Sequence, residues 1–73
     1  SFGVYPNPAN DFVTISDANG AEVRILDMLG RTLISKSVKS SNETISIDNL
    51  NNGMYMIQIV KDGKASTQKL IKK

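Results

Sequence analysis

The 73-residue chain contains no cysteine, no histidine and no tryptophan. Without cysteine, neither a disulfide nor a thiolate metal site can form. Without histidine, the commonest general base and the commonest metal ligand are both missing. The groups most used for acid–base and nucleophilic catalysis are therefore absent, and the chain is expected neither to be an enzyme nor to hold a cofactor. Long hydrophobic runs are lacking too. None approaches the ~20 residues of a membrane helix, and no basic-then-apolar leader opens the sequence. A length of 73 residues allows a single domain, expected to span residues 1–73, with a thin core.

What is present is β-forming. Isoleucine, valine and threonine supply 17 residues, and β-branched side chains favour strands. The net charge is +2, but it is unevenly placed. Residues 1–60 carry four basic side chains (Arg24, Arg31, Lys36, Lys39) and six acids, whereas residues 61–73 carry five lysines (Lys61, Lys64, Lys69, Lys72, Lys73) against Asp62. A nucleic-acid partner would require arginine and stacking aromatics among these lysines. Residues 61–73 have neither, so no nucleic-acid partner is expected.

Hydrophobicity alternates with period two. Gly3–Tyr5 is a short extended piece stopped by Pro6-Asn7-Pro8. Strands are expected over 11–16, 21–27, 32–39, 43–48, 54–61 and 64–71. Asp17-Ala18-Asn19-Gly20, Met28-Leu29-Gly30-Arg31, Asn51-Asn52-Gly53 and Asp62-Gly63 mark turns. In 54–61, Tyr55, Ile57 and Ile59 share one face while Met54, Met56 and Val60 share the other. Apolar residues on both faces imply a central strand covered on both sides, or an outer face that meets a partner. Seven short strands with turn signals at this spacing predict an all-β fold: a small antiparallel β-sandwich, Greek-key or immunoglobulin-like. The expected core is Val13, Ile15, Val23, Ile25, Ile45, Ile47, Leu50, Tyr55, Ile57 and Ile59.

No motif carries metal or phosphate chemistry. Asp11, Asp17, Asp27 and Asp48 do not fall in the alternating pattern of a calcium loop and read as turn and strand-edge residues. Gly30, Gly53 and Gly63 are isolated, so no phosphate-cradling loop exists. Asn42-Glu43-Thr44 matches a glycosylation sequon, a three-residue pattern that recurs by chance.

Four segments resemble a known family. Tyr5-Pro6-Asn7-Pro8-Ala9-Asn10-Asp11 resembles the "YPNPA" opening of the C-terminal sorting domains of the type IX secretion system of Bacteroidetes. Val23 to Arg31 resembles the family's V-x-I-x-D-x-x-G-K/R strand and turn, with Asp27 and Gly30 at the motif positions. Ile47 to Tyr55 resembles its I-x-x-L-x-x-G-x-Y segment, with Leu50, Gly53 and Tyr55 in place. Lys69-Leu70-Ile71-Lys72-Lys73 resembles its terminal lysine-and-apolar ending, although Leu70 stands where an aromatic is frequent.

The resemblance implies a transport signal. The N-terminal cargo domain of the same polypeptide would cross the inner membrane by the Sec route and fold in the periplasm. The type IX outer-membrane translocon and its shuttle proteins would then carry it to the cell surface or the medium. A sortase-like peptidase would remove the signal and in many members join the cargo to anionic lipopolysaccharide. The cut is expected upstream of Ser1 or close to it. The resemblance assigns recognition to Lys64, Lys69, Leu70, Ile71, Lys72 and Lys73, with Lys69, Lys72 and Lys73 exposed, so that deleting 69–73 would trap cargo in the periplasm. Structural roles fall to Tyr5, Pro6, Asn7, Pro8, Asp27, Gly30, Leu50, Gly53 and Tyr55, with the two prolines holding the opening chain extended. An exposed edge strand also offers self-association. Two rival functions are an adhesion or carbohydrate-binding module, which needs a solvent-facing aromatic platform, and a purely structural sandwich appended to an enzyme. The four aromatics are expected mostly in the core, which disfavours the first.

Overall fold

Seven strands form in the expected order, as seen in a computed structural model that describes residues 2–73. They are β1 (Gly3–Tyr5), β2 (Phe12–Ser16), β3 (Glu22–Leu26), β4 (Thr32–Ser37), β5 (Asn42–Ser46), β6 (Gly53–Lys61) and β7 (Lys64–Lys72). Two antiparallel sheets result, one ordered β1-β2-β5 and the other β4-β3-β6-β7. The expected cleavage point, upstream of or close to Ser1, lies outside the described residues.

Alternation explains why the sheets stack. Val13, Ile15, Ile45 and Ile47 of the first sheet and its flank face Val23, Ile25, Ile57, Ile59 and Leu70 of the second, all fully or nearly fully buried. Interleaved positions such as Glu22, Arg24 and Gln58 point outward. Ala18, Ala21 and Val38 close one end, where Gly20 N donates to Val38 O at 2.9 Å and Val38 N donates to Ala21 O at 2.9 Å. Each buried Ile or Val contributes about 1.5–3 kcal/mol relative to leaving it exposed.

Some details depart from expectation. Leu50 and Tyr55 are half-buried at the margin of the core rather than inside it. Tyr55 packs its ring against the cluster, but its hydroxyl donates to Asn51 O at 2.6 Å. A phenol that must reach a polar partner cannot also lie at the centre of an aliphatic layer. Ala9 and Ala18 are core members that lie outside the alternating strands, whereas Ala21, Val38 and Leu70 continue the inward alternation of β3, β4 and β7. None of the four aromatics is fully buried, and Tyr5 and Phe12 are about half exposed, at 50% and 51%. They sit on the outer face of the three-stranded sheet, where alternation aims them away from the aliphatic core.

Gly53 opens β6 opposite Lys72 rather than sitting within the preceding turn. Its φ of +154° lies in territory almost reserved for glycine. Gly53→Val is therefore expected to destabilise the domain by about 1–3 kcal/mol. A denaturant midpoint equal to that of the unsubstituted chain would show that the backbone relaxes there without cost.

Candidate functional site at the C-terminal strand

β7 is an edge strand of nine residues. A bare edge of that length invites unwanted pairing. The opening segment covers part of it. After β1 the chain bends through Pro6–Pro8, with the Tyr5–Pro6 and Asn7–Pro8 bonds cis. It then touches β7 at Ala9, which pairs with Lys72 in parallel. The expectation that the prolines hold this segment extended is thus corrected: it is bent across the edge.

Asn7 acts as a short piece of strand. Its side-chain amide donates to Lys69 O at 2.8 Å, and its Oδ1 accepts from Ile71 N at 3.1 Å. One primary amide supplies a donor and an acceptor side by side, as a backbone peptide does. Two residues on, Ala9 N donates to Ile71 O at 2.8 Å and Lys73 N donates to Ala9 O at 2.8 Å. The two prolines have no N–H to leave unsatisfied in this bend. Ala9 itself is fully buried. The opening motif therefore clamps the edge over 69–73. Among the described residues, no backbone partner meets the edge at Ala65 or Thr67.

The clamp fixes which side chains β7 presents. Lys69 and Ile71 share the outer face with Met56 and Met54, opposite which they pair. Leu70 and Lys72 point inward. Leu70 is 0% exposed and Lys72 only 8%, so the expectation of an exposed Lys72 is corrected, and Leu70 is a core residue. The reason is alternation: successive residues of a strand face opposite sides. Lys72 lays its stem against the inner side, and its Nζ donates to Lys73 O at 3.2 Å. Lys64 starts β7 in the Asp62-Gly63 turn. At about 3.3 Å per residue it lies roughly 26 Å from Lys72. Of the six positions considered for recognition, the fold gathers Lys69, Ile71 and Lys73 at one end of one face and sets Lys64, Leu70 and Lys72 elsewhere.

The other motif residues build neighbouring turns. Gly30 has a φ of +87° in the β3–β4 turn, a left-handed position that glycine adopts without strain. Asp27 closes the same turn. Its Oδ1 accepts from Leu29 N and Arg31 N, each at 2.9 Å, and its Oδ2 accepts from Arg31 Nε at 2.6 Å. The Arg31 backbone N–H, then the Arg31 guanidinium and the Leu29 N–H, hold the Asp27 carboxyl below its ordinary 3.8, against an opposing desolvation. On the far side of the sandwich, the Lys39 N–H and the Lys36 ammonium lower the pKa of Glu43, with Lys36 Nζ at 3.3 Å from its Oε2. That contact ties β4 to β5.

Alanine at Asn7 removes both amide contacts at once. Asn7→Ala is expected to cost about 1 kcal/mol, and Asn7→Asp should not restore it, because a carboxylate cannot donate to Lys69 O. Chemical denaturation checks both. Asp27 gives a pH test. A carboxyl whose pKa is depressed by folding stabilises the fold above its unfolded pKa, and that contribution is lost as pH falls through the folded value. Asp27→Asn should therefore melt lower than the parent at pH 7, with the difference shrinking below pH 3.8. A gap independent of pH would contradict the capping role.

Comparison with known proteins identifies the family of the chain. The family described as "Secretion system C-terminal sorting domain" matches residues 3–73. Ulvan lyase NLR42 of Nonlabens ulvanivorans is 39% identical over 97% of the chain, and β-agarase D of Zobellia galactanivorans is 32% identical over 93%. β-Agarase A of the same organism is 37% identical over 77%. The chain spans only 14%, 14% and 11% of the lengths of these enzymes. Among solved structures, PorZ, a surface component of the type IX secretion system of Porphyromonas gingivalis, superposes with a TM-score of 0.82 over 100% of this chain and 11% of its own, at 24% identity, a likeness of fold. The chain belongs to the family of type IX secretion system C-terminal sorting domains.

Proposed function

We propose that residues 1–73 direct a larger secreted polypeptide across the outer membrane through the type IX translocon and its shuttle proteins. The signal is the outer side of the terminal strand, with Lys69, Ile71 and Lys73 as its contact residues. The observation that carries this reading is the clamp. A segment of family motif spends an asparagine side chain and a buried alanine on fixing residues 69–73. A prefolded surface binds without the ordering cost that a flexible tail would meet. Passage is through the periplasm to the cell surface or medium. A sortase-like peptidase then separates cargo from signal, with attachment to anionic lipopolysaccharide as one fate of the cargo. The activity of the whole polypeptide belongs to its cargo, and polysaccharide-degrading relatives make a carbohydrate-active cargo the natural candidate.

A second reading rests on Tyr5 and Phe12. Tyr5 lies opposite Thr14, two residues along β2 from Phe12, which puts two half-exposed rings on one face. That is the beginning of a platform on which an adhesion or carbohydrate-binding module stacks sugars. Tyr5→Ala with Phe12→Ala separates the two. It should leave export intact if the domain is a sorting signal, and should abolish retention on a polysaccharide matrix if it is a binding module.

The direct test fuses residues 1–73 to an inert reporter in a type IX host. Deleting 69–73 no longer discriminates recognition from folding, because Leu70 belongs to the core. Lys69→Gln with Lys73→Gln leaves Leu70 in place. This pair should hold the reporter in the periplasm, while Lys39→Gln with Lys61→Gln, which removes as much charge and breaks no ion pair among the described residues, should not, since single exposed charges contribute little to stability. Equal export of both pairs would contradict the reading.

A further inference from the structure

The outer face of the four-stranded sheet carries an apolar patch at the Lys69–Lys73 end. Leu26 lies opposite Met56, and Met56 opposite Lys69, while Met54 lies opposite Ile71. Leu33 stands at the irregularity beside Leu26, and Met28 and Leu29 occupy the adjoining turn. Side chains directly opposite on one face are about 5 Å apart, so Leu26, Met56, Met54 and Ile71 adjoin across the strands. Met28, Leu29, Leu33 and Met54 are four of the six exposed large hydrophobic side chains among the described residues, and Leu29 is 80% exposed. All three methionines of the chain lie here. The remainder of the same face is largely polar, with Arg24 donating to Gln58 Oε1 at 3.3 Å. A local, contiguous apolar area on an otherwise polar face marks an interaction surface, and methionine suits one that must adapt to its partner.

Charge selects the occupant. Lys69 borders the patch opposite Met56, and Lys73 follows Ile71 in the same alternation. Neither meets a carboxylate among the described residues, whereas Arg31 is already paired with Asp27. A second copy docked on this face would set lysine against lysine. A bilayer surface favours aromatic residues at its interface, and this patch has none. The chain near Phe2 lines a cleft with Lys61, Asp62, Lys64 and Ser66, at the opposite end of β7.

We propose that this patch docks a folded protein of the export machinery whose own surface is apolar at the centre and bordered by aspartate or glutamate. Lys69 and Lys73 pair at the border while Met28, Leu29, Leu33 and Met54 are buried. The proposal rests on the sorting function above and supplies the contact through which it acts.

The test uses the intact secreted polypeptide that carries this domain, with purified type IX outer-membrane translocon as the probe. Leu33→Thr with Met54→Thr keeps strand-forming residues, and Leu29→Ser touches no strand pairing, so it decides the matter if the double variant misfolds. Each should weaken binding by about tenfold and slow export, with the thermal midpoint unchanged. Lys69→Gln with Lys73→Gln should flatten the salt dependence of binding. Parental binding and export by folded apolar variants would overturn the docking face while leaving the sorting reading intact. Failure of the unsubstituted polypeptide to be exported by a competent host would instead overturn the sorting reading. A concentration-dependent dimer, or binding to phosphatidylglycerol vesicles, that disappears in the same variants would reassign the patch to a second copy or to lipid and overturn the proposal.

Discussion

The terminal strand has to be fixed in place, and the hydrogen bonds from Asn7 and Ala9 to residues 69–73 do this. An edge strand left free at its end frays and slips. A slip of one residue exchanges every inward side chain for an outward one. Here that exchange would expel Leu70 from the core and turn Lys69 inward. The clamp therefore decides two things together: the packing of the last core residue and the set of side chains offered to solvent. Because the clamping segment comes from the beginning of the domain, its two ends of sequence are joined in space, and neither can loosen without the other.

From that constraint the rest follows in layers. The aliphatic residues of the two sheets fill the interior, and the turns that deliver them are closed by local chemistry. Asp27 and Gly30 close the β3–β4 turn, Tyr55 anchors to Asn51, and the Lys36–Glu43 contact links the two sheets. These turns do more than terminate strands. The β3–β4 turn places Met28 and Leu29 just beyond Leu26, which lies opposite Met56. A thin core without disulfides leaves little stability to spare, so each such contact matters more than it would in a larger domain.

Much of the fold was legible because its periods are plain. Val13 and Ile15, Val23 and Ile25, Ile57 and Ile59 alternate cleanly, and Asp62-Gly63 and Asn19-Gly20 announce their turns. The exposed ends were less legible. Lysine reads as exposed, yet Lys72 falls on an inward position of β7, and a long aliphatic stem can be buried with its charge at the margin. Aromatics read as core, yet Tyr5 and Phe12 fall on outward positions. Ala9 gave no signal, since a single alanine in a loop has no period. The clamp was invisible for a related reason: Asn7 and Ile71 are distant in sequence, and no local pattern states that they meet. The apolar outer face of β6 did carry a signal, in Met54 and Met56 alternating against Tyr55 and Ile57. The structure resolves it as a central strand with one face open.

The most direct measurement is residue-resolved amide hydrogen exchange along β7. The N–H groups of Ala65, Thr67, Lys69, Ile71 and Lys73 all point away from β6, and only the last two meet partners in the clamp among the described residues. Slow exchange is expected at Ile71 and Lys73, comparable to the β6-bonded positions of the same strand, and fast exchange at Ala65, Thr67 and Lys69. Exchange at Ile71 and Lys73 as fast as at Thr67 would mean that the strand end is free, and would contradict the claim that the opening motif sets what the terminal strand presents.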